Sequence, residues 1–259
     1  MFEFINNLNP IVLAFFGGIF SFVVTILGSS LVFFFKIANK NHMNMLLSIA
    51  AGIMFSASFF SLLNPAISLC TNLKQNFFIS VVAGFIIGGV FILLCNRIIN
   101  KININKFSGL KKSILLFSSI TLHNIPEGIA IGVAFGNILY GGSLISAISL
   151  TLGIAIQNFP EGAAVSLPLK RDNISSTKAF LFGGISGVVE PIFAVIGALL
   201  ILKIKYLLSF ILCFAAGAMI FVTIFDLIPE SQSSEKKDLM AILFIIGFVI
   251  MMTLDVLLG

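Results

Sequence analysis

His123-Asn124-Ile125-Pro126-Glu127-Gly128 is echoed 34 residues later by Gln157-Asn158-Phe159-Pro160-Glu161-Gly162, and this pair decides how the sequence is read. Both copies sit in long apolar runs, where a carboxylate is costly unless something positive joins it. On an α-helix, residues four apart lie about 40° apart and residues three apart about 60° the other way. Glu127 therefore projects between His123 and Asn124, and Glu161 between Gln157 and Asn158. Each helix offers one carboxylate flanked by two N or O ligands. Two such faces brought together make a site for one cation, or for two bridged by shared carboxylates.

Each proline sharpens this reading. Pro126 has no N–H for the carbonyl of Leu122, and Pro160 none for Ile156, so both helices are predicted to kink beside the ligands. Gly128 and Gly162 then allow a neighbouring helix to approach closely. A pair of Pro-kinked packing helices with buried polar glue would explain one copy. Two copies at matched depth argue for a binding site.

Working outward, the rest of the chain is a membrane protein. Of its 259 residues, 59% are hydrophobic and only 10% charged, against roughly a quarter charged in soluble domains. The apolar character runs to the last residue, unlike a signal peptide followed by a polar mature chain. Runs of about 20 apolar residues suffice to cross a bilayer as a helix. Eight are expected, at about 10–35, 44–66, 76–99, 112–136, 143–169, 177–202, 206–229 and 239–258, in one domain covering 1–259. The fold class expected is all-α integral membrane.

Loop charge sets the orientation. With the N-terminus outside, all of the 15 Lys and Arg except Lys74, Lys203 and Lys205 fall on the inner side. An even number of spans puts both ends outside the cytoplasm. The net charge of +5 is thus topological, and nucleic acid is not an expected partner.

Five acids fall within or near the span ends: Glu127, Glu161, Glu190, Asp226 and Asp255. No Lys or Arg lies deep in any span to pair with them, so their counter-charge should be a proton or a metal ion. Glu190-Pro191 repeats the carboxylate-plus-kink theme in the sixth span. Met54, Ser58 and Ser61 are spaced four and three apart in the second. Packing and i−4 back-bonding are the plain readings of those three, and lining a pathway is the functional one.

Other chemistry fits poorly. The three cysteines are scattered, with no C-x-x-C, and read as small apolar residues. There is no H-E-x-x-H, G-x-S-x-G, P-loop or Rossmann fingerprint, and only two histidines. An enzyme is not expected, and no cofactor. The alternative to metal transport is a proton-coupled transporter of another small solute, with the buried acids as its relay.

The chain resembles the Zrt/Irt-like (ZIP) divalent-metal transporters, the GufA-type bacterial branch in particular. The likeness is carried by the two P-E-G motifs, by Val188-Val-Glu-Pro-Ile-Phe193, by Ala215-Ala-Gly-Ala-Met219 leading to Ile228-Pro-Glu230, and by Ala51-Gly-Ile-Met54 with Ser58-Phe-Phe-Ser-Leu62. It implies an eight-helix multi-pass protein of the cell (inner) membrane. Spans one to three would mirror six to eight around the kinked fourth and fifth, with both ends outside. The activity implied is influx of zinc, or of iron, manganese or cadmium, bound as substrate by alternating access. By motif position a first metal site would be His123, Glu127, Gln157 and Glu161. A second would be Asn124, Glu127, Asn158, Glu161 and Glu190, making a binuclear centre. Met54 and Ser61 would line the outer approach, and Asp226 and Asp255 would assist ion passage. Expected partners are divalent metal ions and the lipid bilayer, with room for a homodimer. Three departures from the family pattern stand out: Asn158 where relatives often carry Asp, Asn96 where they carry an acid, and Phe225 where they carry a polar ligand.

Overall fold

The computed structural model describes residues 8–34, 40–101, 111–171, 173–203 and 205–258, and these form helices joined by short turns, with no strand among them. Of the basic residues counted above, Lys36 and Lys106 lie outside the described residues. In chain order the helical rods are α1 (Pro10–Phe34), α2 (Asn41–Asn72), α3 (Phe78–Ile98), α4 (Lys111–Asn137), α5 (Leu144–Arg171), α6 (Ser176–Ile201), α7 (Leu208–Ser231) and α8 (Lys237–Leu257). Six of them, all but α4 and α5, are long and apolar enough to cross a membrane. The other two have 27 and 28 residues, roughly 40 Å at 1.5 Å per residue, and carry the P-E-G motifs.

Local sequence accounts for several helix limits. At the start of α1 the Asn9 side chain accepts a hydrogen bond from the Ile11 N–H at 2.9 Å, and Pro10 takes the first helical position, where no N–H is needed. Beyond α4, Gly141 adopts φ +92°, a left-handed conformation that reverses the chain into α5. Wide π-type turns interrupt α2 over Ser58–Leu63, α3 over Phe78–Ala83 and α7 over Thr223–Leu227. In α2 and α7 the wide turn ends just before a proline, Pro65 or Pro229, whose missing N–H loosens the ladder there.

Burial runs opposite to that of a soluble protein. Phe16, Phe34, Phe78, Ile79, Val256 and Leu257 point outward, whereas Ser21, Thr25, Asn124, Glu127 and Glu161 are buried. Lipid solvates the outer apolar faces at no cost, so the helices are held by close van der Waals packing through small residues. The extensive helix pairs are α1–α5 and α4–α6, α2–α8 and α3–α7, α2–α5 and α4–α7, α1–α4 and α5–α6, and lastly α1–α6 and α2–α7. Glycines make the first two pairs close: a Cβ on Gly28 or Gly162 would strike the backbone of Phe159 or Thr25, and one on Gly132 that of Ala194.

Candidate metal site

The three helices α4, α5 and α6 bring the polar ligands together. His123, Asn124 and Glu127 from α4, Gln157, Asn158 and Glu161 from α5, and Glu190 from α6 are each at most 2% exposed. Gln157 Nε2 donates to Glu127 Oε1 at 2.6 Å, joining the two motif helices. Asn158 Nδ2 donates to Ser21 Oγ at 2.9 Å, and Asn124 Nδ2 to the Ser186 carbonyl at 2.9 Å, tying the same two motifs to α1 and α6. The two motif helices therefore meet in the interior through Gln157 and Glu127.

The hydrogen bonding there is one-sided. Asn124 Oδ1, Glu127 Oε2, Gln157 Oε1, Asn158 Oδ1, both oxygens of Glu161 and Glu190 Oε2 are all buried without a hydrogen-bond partner. Buried acceptors are ordinarily satisfied, each orphan costing about 1–3 kcal/mol. Seven of them gather on these three helices. None of the three glutamates is bonded to Lys or Arg among the described residues, and Lys170 Nζ is engaged by the Val32 carbonyl at 2.7 Å. An oxygen-rich, donor-poor interior of this kind is matched by a cation.

His123 is turned differently from the motif expectation. Its Nε2 lies 3.1 Å from Asp226 Oδ2, on the wide turn of α7, rather than against Glu127. Among the described residues no three His, Cys, Asp or Glu side chains converge on one ion-sized point. Three of the seven buried side chains here are amides, and the His123 imidazole lies toward Asp226. Asp226 thus sits beside the candidate site, about one-third exposed, rather than in a separate pathway segment.

The other expected residues divide into two groups. Met54 is fully buried, and Ser58 donates to its carbonyl at 2.7 Å, the back-bond that membrane serines commonly make. Ser61 instead donates to Asp255 of α8, at 2.6 and 2.7 Å from its two oxygens. That pair lines a cavity of about 380 Å³ with Asn64, Asn137, Ser143 and Ser146, over an apolar floor of Ala147, Leu150 and Leu212. Leu150 precedes Gln157 by seven residues and Glu161 by eleven, so the floor stands roughly 10 Å along α5 from Gln157 and about 16 Å from Glu161. Phe225 points outward and stacks on Phe221 with centroids 5.3 Å apart, so it does not line the site.

Three residues not singled out from the sequence touch the ligands. Ser21 Oγ accepts from Asn158 Nδ2 at 2.9 Å, Thr25 Oγ1 donates to Glu190 Oε1 at 3.3 Å, and the Ser186 carbonyl accepts from Asn124 Nδ2 at 2.9 Å. The sequence does carry a signal: Ser21, Thr25 and Ser29 recur every four residues in an otherwise apolar span.

Comparison with known proteins agrees with this chemistry. The profile of the family described as ZIP Zinc transporter matches residues 101–255. The chain is 32% identical to the zinc transporter ZIP11 of Xenopus tropicalis, over 98% of this chain and 100% of that one. It is 34% identical to the zinc transporter GufA of Myxococcus xanthus, over 77% and 81% of the two chains. With the zinc transporter ZupT of Clostridium perfringens it shares 29% identity over 95% and 96%.

Proposed function

Because this chain belongs to the ZIP zinc transporter family, we propose that it carries divalent metal ions, zinc foremost, across the cell membrane into the cytoplasm. The observation that carries this reading is the set of seven buried oxygens with no donor, drawn from Asn124, Glu127, Gln157, Asn158, Glu161 and Glu190. Imidazole, amide and carboxylate ligands without thiolate suit Zn²⁺, Fe²⁺, Mn²⁺ or Cd²⁺ better than Cu⁺. They also bind moderately, as an ion that must leave again requires. A proton relay is less well supported, since amides at half of the ligand positions have no proton to pass.

In the proposed sequence, the ion arrives in the cavity beside Ser61 and Asp255 and reaches Glu127 and Glu161 once the apolar floor parts. Gln157 releases Glu127 to accept it, and His123 exchanges Asp226 for the metal. Asn124, Asn158 and Glu190 form the adjoining position. Asp226 then takes His123 back as the ion leaves, which gives this acid a role in release.

The whole chain is proposed to act as one transport domain of eight spans, with α4 and α5 crossing the membrane between the α1–α6 pair and the group formed by α2, α3, α7 and α8. Packing supports an inverted repeat. Exchanging α1 with α6, α2 with α7, α3 with α8 and α4 with α5 carries each extensive helix pair either onto another such pair or, for α1–α6 and α2–α7, onto itself. Sequence supports it too: Ala50-Ala-Gly-Ile-Met54 matches Ala215-Ala-Gly-Ala-Met219, each followed by its wide turn. Ser58 bonds back to Met54, and Thr223 to Met219 at 2.9 Å, in the same way. Corresponding helices stand five spans apart, an odd offset, so the two repeats run in opposite directions, an arrangement common in transporters with midplane sites. Loop charge supports placing both ends outside the cytoplasm.

The experiment is zinc uptake by purified full-length protein in proteoliposomes carrying a trapped zinc indicator. Uptake above protein-free vesicles is expected; its absence for every divalent ion tried overturns the reading. Acidifying the medium from about pH 7.5 to about pH 5 should lower the initial rate severalfold, because protons compete with the metal for carboxylate and imidazole ligands. A flat profile would count against this ligand set. Asp255→Asn should raise the KM for zinc by about threefold to tenfold with little change in kcat, the signature of a weakened approach rather than a damaged site. An unchanged KM removes Asp255 from the pathway.

A further inference from the structure

We infer that Ser21 and Thr25 of the first span are positioning residues of the metal site, which set the Asn158 amide and the Glu190 carboxylate so that each turns an oxygen toward the metal. The inference rests on the reading of that site as the metal site.

Both first-span residues are fully buried. An asparagine side chain is a ligand through one end only, since its oxygen binds cations and its NH₂ repels them. Ser21 Oγ accepts from Asn158 Nδ2 at 2.9 Å, and the opposite end, Asn158 Oδ1, is the buried atom left without a partner. In this arrangement the Ser21 hydroxyl acts as acceptor and holds the nitrogen end of residue 158, which leaves the oxygen end available to a cation. Thr25 acts on the acid in the same sense. Its hydroxyl lies 3.3 Å from Glu190 Oε1 and 3.3 Å from the Ser21 carbonyl one turn back, sharing its proton between them and leaving Glu190 Oε2 unpartnered. Space for this contact comes from Gly187, where a Cβ would stand 2.9 Å from both Glu190 Oε1 and Thr25 Oγ1.

The other half of the molecule repeats the arrangement. Phe16-Gly-Gly-Ile19 followed by Ser21-Phe-Val-Val-Thr25 matches Phe182-Gly-Gly-Ile185 followed by Ser186-Gly-Val-Val-Glu190, with Phe20 the one inserted residue. Ser186 stands where Ser21 does, and its carbonyl accepts from Asn124 Nδ2 while Asn124 Oδ1 stays unpartnered. Each motif asparagine is thus held by its nitrogen on the span that packs against its own helix. A carbonyl can only accept, so it holds an amide alone. A serine hydroxyl can also donate, so Ser21 would hold a carboxylate equally well.

That difference supplies the test, a double-mutant cycle of Ser21→Ala with Asn158→Asp. It is read as Zn²⁺ binding to the purified full-length chain in nanodiscs, by competition with a fluorescent chelator. Ser21→Ala alone should weaken Zn²⁺ binding about tenfold, as loss of a ligand-orienting partner commonly does. Made in Asn158→Asp, the same change should alter Kd by less than about threefold, because a carboxylate presents an oxygen whichever way it turns. The same factor in both backgrounds would mean that Ser21 acts through helix packing, and no effect in either would remove it from the site; both outcomes overturn the inference. Should the alanine variant fail to accumulate, Ser21→Gly enters the same cycle with the same two readings. Thr25→Val, equal in shape and lacking the donor, should weaken binding severalfold with an unchanged melting temperature; unaltered binding overturns the Thr25 assignment. Failure of the unmodified chain to bind Zn²⁺ defeats the metal-site reading itself. Normal binding with an additive cycle defeats only the positioning role.

Discussion

Alanine at position 161 should abolish zinc uptake, lowering kcat/KM about 100-fold or more and removing measurable Zn²⁺ binding by the purified protein. Glu161 is the most exposed electrostatic liability of the interior, with both carboxylate oxygens buried and neither hydrogen-bonded. Orienting partners of metal ligands alone are worth 10-fold to 100-fold, so a direct ligand with two free oxygens should exceed that range. Glu161→Gln keeps the shape and one oxygen but loses the charge, and should fall between alanine and the unmodified protein. Loss of both binding and turnover separates a ligand from a residue that matters only in the moving state. Glu230, exposed at the end of α7, is the matched control, and Glu230→Gln should transport normally. Uptake by Glu161→Ala within about threefold of the unmodified rate would rule out a metal site between α4 and α5.

The helical membrane character and the meeting of the two motif helices are legible in the sequence because both rest on local rules. Apolar runs of span length must fold as helices in lipid, and an i, i+3, i+4 pattern fixes which residues share a face. Ser58 likewise follows the plain expectation by bonding its own helix. Six of the expected spans are apolar enough to stand as membrane helices alone. In α5, Gln157, Asn158, Pro160 and Glu161 dilute the apolar run, so the residues that give the site its chemistry also weaken its helix's membrane signature.

What the sequence hides is long-range. Asn158 meets Ser21 across 137 positions, and Glu190 meets Thr25 across 165. No local period reports those pairings. The repeat that relates them is masked by one inserted residue in α1 and by a wide turn of six residues in α2 against five in α7. His123 turning to Asp226 rather than to Glu127 is a choice between two acids, and motif spacing alone presents only one of them.

Gly162→Ala should reduce uptake at least tenfold and lower the melting temperature of the purified protein, although it adds a single methyl group. The Cβ would strike the carbonyl oxygen of Thr25 and come within 2.9 Å of Ser29 N, both backbone atoms that no rotamer change can move. The reciprocal contact, Gly28 against the Phe159 backbone, already holds α1 and α5 at their closest approach. The only relief is to push the two helices apart. Overpacking a core usually costs about 1–3 kcal/mol, and a fixed backbone obstacle belongs at the upper end. Separation would also stretch Ser21–Asn158 and Ser29–Phe180, the hydrogen bonds by which the first span holds its neighbours. Activity should therefore fall further than stability, since a ligand displaced by about 1 Å loses its geometry before its helix unfolds. Gly89→Ala provides the comparison within the same membrane: the nearest atom to its added methyl is 3.5 Å away, so both properties should stay unchanged. Equal tolerance of the two substitutions would mean that the α1–α5 contact is not what positions the site.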